Sequence, residues 1–166
     1  MALLSSNAGN LGSPIIDFNL KGTDGKYYTA GSFKDYKILV IIFMCNHCPY
    51  VKAVTERFVM LQEKYMNEGV QFIGINPNDT EYYSEDSYEN MINFAKERKI
   101  NFPYLTDDTQ QTAREYDAVC TPDIYVYGQD RTLKYRGRLD DNWKEEDKVT
   151  KHDLDDAISS LLKCDE

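Results

Sequence analysis

The chain has 166 residues, 42% of them hydrophobic and 13% aromatic, enough apolar surface for one domain with a core and too little length to argue for two. Its net charge of -9, from 28 acidic against 19 basic residues, repels phosphate backbones and anionic lipid headgroups, which argues against nucleic-acid and membrane partners. No window approaches the roughly 20 consecutive apolar residues of a membrane span, and the opening MALLSSNAGNLG lacks the basic start and long apolar run of a secretory signal. A cytoplasmic protein is expected, a single domain over residues 1–166 with its core at about 12–163.

Residues 15–20 (IIDFNL) and 26–30 (KYYTA) flank Asp24-Gly25, which tolerate positive φ, and the pattern predicts an N-terminal hairpin. Residues 38–44 (ILVIIFM) are continuously apolar, as in a central strand covered on both faces. Val51, Val54, Phe58, Leu61 and Tyr65 recur at spacings of three and four and form one helical stripe, which Gly69 ends. A second buried strand is expected at 70–75 (VQFIGI), broken by NPND. Asp86 with Glu89 has the form of a capping box opening a helix that buries Tyr88, Ile92 and Ala95, and a short helix follows near 109–116.

Residues 124–127 and 132–136 read as a hairpin around GQDR, and Thr150 with Asp153 as the cap of a last helix buried through Leu154, Ile158 and Leu161. The order hairpin, β, α, β, α, short α, β, β, α implies the α/β class, a mixed sheet with helices on both faces. The acidic stretches at 81–89 and 140–147 read as solvated loops or helix faces.

Chemistry concentrates in FMCNHCPYV, residues 43–51, where two cysteines stand at the junction of the apolar strand and the amphipathic helix. Cytoplasmic thiols are kept reduced, so a spacing of two residues points to cycling redox or metal chemistry rather than to a permanent staple. If the helix begins at the motif, Cys45 sits near its N-cap, where unpaired N–H groups and the helix dipole favour an anion. A thiolate there reacts as a nucleophile, and Cys48, one turn on, resolves the mixed disulfide. His47 either stabilises the Cys45 thiolate, making the pair more oxidising, or is an exposed side chain without a partner. Pro49, in the first turn, lacks an N–H that would have no partner there. A closed zinc site needs four ligands, and Cys120, Cys164 and His152 are scattered singly, so no metal and no cofactor are expected.

The strand, the Cys45-Asn46-His47-Cys48-Pro49 motif and the following helix together resemble the active-site region of the thioredoxin superfamily. Val119-Cys120-Thr121-Pro122-Asp123-Ile124 matches a second signature, and the resemblance implies a cis Pro122 facing the cysteines. Gly12-Ser13-Pro14, Asp17-Phe18-Asn19-Leu20, Ile75-Asn76-Pro77, Tyr135-Arg136-Gly137-Arg138 and Asp140-Asp141-Asn142-Trp143 narrow the likeness to the redoxin branch. That branch holds alkyl hydroperoxide reductase and thiol-specific antioxidant relatives, including small proteins with CNHCPYV. The likeness implies a thioredoxin-like fold with an N-terminal hairpin extension and an antioxidant or thiol–disulfide oxidoreductase role. Cys45, His47, Cys48 and Pro122 are then the catalytic set, and Asn46, Pro49, Cys120 and Thr121 line a substrate groove. The peroxiredoxin pattern Pro-x-x-x-Thr-x-x-Cys, aligned on Cys48, finds Ile41 and Cys45 in place of its proline and threonine. Met44 replaces thioredoxin's tryptophan, Asn46-His47 its Gly-Pro, and apolar Leu39 its buried acid, which leaves Cys48 without an assigned base.

Cys120 is either a third redox thiol or a small buried hydrophobe. Arg136 and Arg138 share a strand face and suit surface pairing, and Trp143 either covers the active site or plugs a satellite core. The expected partners are a disulfide-bearing protein or a small thiol or peroxide, with a thiol or thioredoxin-type electron donor. A thiol peroxidase and a non-enzymatic redox sensor or adaptor are the rival readings.

Overall fold

The computed structural model describes residues 11–79 and 81–164. In chain order the elements are β1 (Asn19–Gly22), β2 (Tyr27–Thr29), β3 (Ile38–Phe43), α1 (Pro49–Tyr65), β4 (Val70–Asn76), α2 (Tyr88–Glu97), β5 (Tyr104–Thr106), α3 (Gln111–Glu115), β6 (Asp123–Tyr127), β7 (Leu133–Gly137) and α4 (Asp153–Cys164). Among the described residues seven strands form one sheet in the order β2-β1-β5-β4-β3-β6-β7. Strand β3 runs parallel to β4 and antiparallel to β6, so the sheet is mixed. No helix among the described residues is long and apolar enough to cross a membrane. The leader reading of the opening rests largely on residues 1–10, which lie outside the described residues.

All six residues of β3 are buried, and their alternation divides the core in two. Ile38, Val40 and Ile42 pack with Val51, Val54 and Phe58 of α1, Met91 and Phe94 of α2, and Leu154 and Ile158 of α4. Leu39, Ile41 and Phe43 face the opposite side with Ile73, Ile75, Phe18, Phe33 and Ala113 of α3. Helices therefore cover both faces, as the continuous apolar run of β3 requires.

Four features depart from expectation. The hairpin begins at Asn19 rather than at residue 15, with Asp24-Gly25 in its turn and Gly25 at φ +83°. Strand β5 has no counterpart in the sequence reading, because three residues after Pro103 are too few to show a period. It nevertheless pairs with both β4 and β1 and so joins the hairpin to the sheet. Helix α2 starts at Tyr88 with Ser87 as its cap, the Ser87 side chain accepting from the Asn90 N–H, and it buries Met91 and Phe94 most deeply. Thr150 likewise is no helix cap, since its N–H and hydroxyl both go to Asp141.

Candidate active site

The parallel ladder of β3 on β4 extends one residue past the strand, Met44 N–H donating to the Ile75 carbonyl at 2.9 Å, and delivers the motif to the strand's C-terminal edge. Gly74 makes room for it, since a Cβ there would stand 2.9 Å from Met44 Sδ. Helix α1 then begins at Pro49, and Cys48, extended at φ -72° and ψ 121°, is its N-cap. Proline explains the placement. It disfavours helical backbone in the residue before it and suits the first helical position, where a missing N–H costs nothing. The expected position of Cys45 at the helix tip is thus corrected: Cys45 lies in the loop three residues earlier, and Cys48 occupies the place where negative charge is favoured.

Both sulfurs are buried and both cysteines are thiols. The hydrogen bond from the Cys45 thiol is the largest influence on Cys48, and with the Thr121 side chain and the amides of Val51 and Tyr50 it outweighs burial, bringing the Cys48 thiol down to about 5. Cys45 moves the other way. Its bond to Cys48 comes first, then burial, with the Asp86 charge adding to the rise, and its thiol is held well above the ordinary range. Of the two, Cys48 is the sulfur placed to carry negative charge.

Asp86 organises the loop around them. Fully buried, its carboxylate accepts from the Asn46 N–H at 2.6 Å, Asn76 Nδ2 at 3.1 Å and Asn78 Nδ2 at 2.7 Å, and pairs with His47 Nδ1. The His47 ring also stacks on Tyr83, centroids 4.7 Å apart and planes 11° from parallel. His47 therefore has a firm partner, which is a carboxylate rather than the Cys45 sulfur. Asn46 is buried too, its amide donating to the Glu85 carbonyl at 2.9 Å and its Oδ1 accepting from the Tyr104 hydroxyl at 2.8 Å, so its polar atoms serve the fold rather than an open groove. Asp86 was placed in a solvated acidic stretch by its neighbours in sequence. Its separation of 40 residues from Asn46 leaves no local signal that it turns inward.

The loop before β6 closes the site from the other side. The Thr121-Pro122 bond is cis. The Thr121 carbonyl oxygen lies 3.4 Å from Cys48 Sγ and its hydroxyl 3.6 Å from Cys45 Sγ, so one residue touches both sulfurs. Cys120 is half-buried, its thiol directed to the Pro122 carbonyl at 3.6 Å. Trp143 packs edge-on against Tyr50 in the first turn of α1, centroids 4.4 Å apart, and its carbonyl accepts from Arg57. Arg136 departs from the expected surface pairing: it is buried against Asp123 at 2.9 Å and lies over the Tyr125 ring, whereas Arg138 remains exposed and pairs with Asp153.

Comparison with known proteins adds ancestry to this geometry. Residues 11–136 match the model of the AhpC/TSA family. The chain belongs to the AhpC/TSA family. A solved structure of an uncharacterized conserved protein from Geobacillus kaustophilus is 40% identical, with a TM-score of 0.90 over 99% of this chain and 89% of that one. A putative protein disulfide isomerase from Bacteroides thetaiotaomicron, 19% identical, superimposes with a TM-score of 0.73 over 96% of this chain and 95% of that one, which shows the thioredoxin-like fold alone. Chloroplastic peroxiredoxin Q of Oryza sativa subsp. japonica is 25% identical over 105 residues, 63% of this chain and 45% of that protein. The chain thus spans about half the length of the curated relatives it matches. The AhpC/TSA match includes the cysteine motif, Asp86 and Pro122, and ends before Trp143 and α4.

Proposed function

We propose that this AhpC/TSA protein is a thiol–disulfide oxidoreductase in which Cys48 attacks and Cys45 resolves. The observation that carries the proposal is the seat of Cys48: it caps α1, takes the hydrogen bond of the Cys45 thiol, and lies 3.4 Å from the Thr121 carbonyl oxygen. The Cys48 thiolate attacks a substrate disulfide, forming a Cys48–substrate disulfide and expelling one substrate thiolate. Cys45 passes its proton to that leaving thiolate and attacks the Cys48 sulfur. A Cys45–Cys48 disulfide and a second substrate thiolate result, so the dithiol is oxidised as the substrate is reduced. His47 acts through Asp86, holding the buried carboxylate that fixes the loop, and Thr121 with Pro122 shapes the approach. A thiol or thioredoxin-type donor in a reducing compartment returns the pair to the dithiol.

Kinetic trapping tests the roles. Cys45→Ser should accumulate a mixed disulfide between Cys48 and a model substrate, and Cys48→Ser should form none; the reverse pattern restores Cys45 as the nucleophile. The likeness to peroxiredoxin Q supports a second reading, peroxide reduction by the same sulfur. There Cys48 takes the terminal peroxide oxygen as a sulfenic acid, releasing water or an alcohol, and Cys45 condenses with it to the disulfide with loss of water. Stopped-flow peroxide consumption much faster than that of free cysteine supports this second route.

A further inference from the structure

We propose that the reduced protein binds one Zn²⁺ ion at the active-site loop through Cys45 Sγ, a ring nitrogen of His47 and a carboxylate oxygen of Asp86, with water in the fourth position. The three donor atoms lie within 4.8 Å of one another. Donors on a tetrahedral zinc ion, with bonds of about 2.0–2.3 Å, stand about 3.3–3.8 Å apart, so closure of order 1 Å assembles the site. Cysteine and histidine spacing does not reveal this set because Asp86 comes from another element, just ahead of α2.

The surroundings suit ligation. Asn46 N–H and Asn76 Nδ2 hold Asp86 Oδ1, while Oδ2 accepts from Asn78 Nδ2 and is turned to His47. Stacking on Tyr83 fixes the imidazole plane. Such supports orient metal ligands and raise affinity. A thiolate disfavours magnesium and calcium, while a carboxylate disfavours copper(I), so the mixed set selects a borderline divalent ion. On binding, the ion replaces the Cys45 thiol proton, which goes to solvent, and the hydrogen bond between His47 and Asp86, whose proton goes to the other ring nitrogen of His47 or to solvent. A Cys45–Cys48 disulfide removes the ligating thiolate, so metal and disulfide exclude each other. Zinc would then withdraw the dithiol from turnover and shield it from oxidation.

Titration of the tag-free, reduced full chain with Zn²⁺ against a competing chelator tests this without any turnover assay, so its result is independent of the redox roles. Binding at one ion per chain is expected, lost in the disulfide form, with a Co²⁺ derivative that shows a thiolate-to-metal charge-transfer band. Affinity should fall by about tenfold or more in His47→Ala and in Asp86→Asn. His47 is only partly buried, its side chain 19% exposed, so its variant carries the test even if Asp86→Asn fails to fold. Absence of stoichiometric binding, or an affinity in His47→Ala within about twofold of the parent, overturns the proposal, the latter because a dithiol alone would then suffice.

Discussion

Replacing Asp86 by alanine removes the acceptor on which the active-site loop is hung. The Asn46 N–H and one Asn76 amide hydrogen are buried and lose their partner, whereas Asn76 keeps its bond to the Tyr104 hydroxyl at 3.1 Å, and half-buried His47 and Asn78 can turn to water. An orphaned buried donor costs about 1–3 kcal/mol, so these two give about 2–6 kcal/mol. Relief from holding a carboxylate out of water offsets part of this, and about 2–5 kcal/mol is the expected loss. Against a total of about 5–15 kcal/mol this is a large fraction. Equilibrium urea unfolding of the reduced protein should show the midpoint falling by about 2 M at an m-value of about 2 kcal/mol per M. A loss below about 1 kcal/mol with m unchanged would show that the donors find other partners, and would refute the role given to Asp86.

Further outcomes follow from the same structure. Arg136→Met leaves Asp123 charged and buried and should cost about 3–5 kcal/mol in thermal or urea unfolding, whereas Arg136→Met with Asp123→Leu should recover most of it; equal losses in both would contradict a buried pair. The Cys48 thiol is lowered from its ordinary 9.0 to about 5 on folding, so between these values the unfolded chain holds the extra proton and the reduced protein gains stability as pH rises. That contribution is complete above about 9 and is lost as pH falls through about 5, while Cys45, shifted upward, begins to subtract stability only above its ordinary 9.0. Unfolding free energies from pH 4 to 9 should therefore diverge between parent and Cys48→Ser, and parallel curves would contradict the shift.

The sheet was legible in the sequence wherever apolar runs were long. The six residues of β3 and the seven of β4 announce themselves as buried parallel strands, and the stripe from Val51 to Tyr65 gives the face of α1. Strand β5 was hidden because three residues carry no periodicity and its partners lie far away in the chain. The two cysteines were found from their spacing, but their division of labour hinged on where α1 starts. Pro49 held that information: a proline that opens the helix makes the preceding cysteine the cap. Asp86 and the burial of Arg136 arise from contacts across 40 and 13 residues, and composition around them points to solvent instead.

The most direct test of the redox account is a site-resolved titration of the reduced protein labelled with ¹³C at cysteine Cβ, which reads each sulfur without needing reagents to reach it. The account predicts that the Cys48 resonance titrates near 5 while Cys45 stays protonated through neutrality. It would be contradicted by Cys45 ionising first, or by Cys48 titrating at its ordinary 9.0.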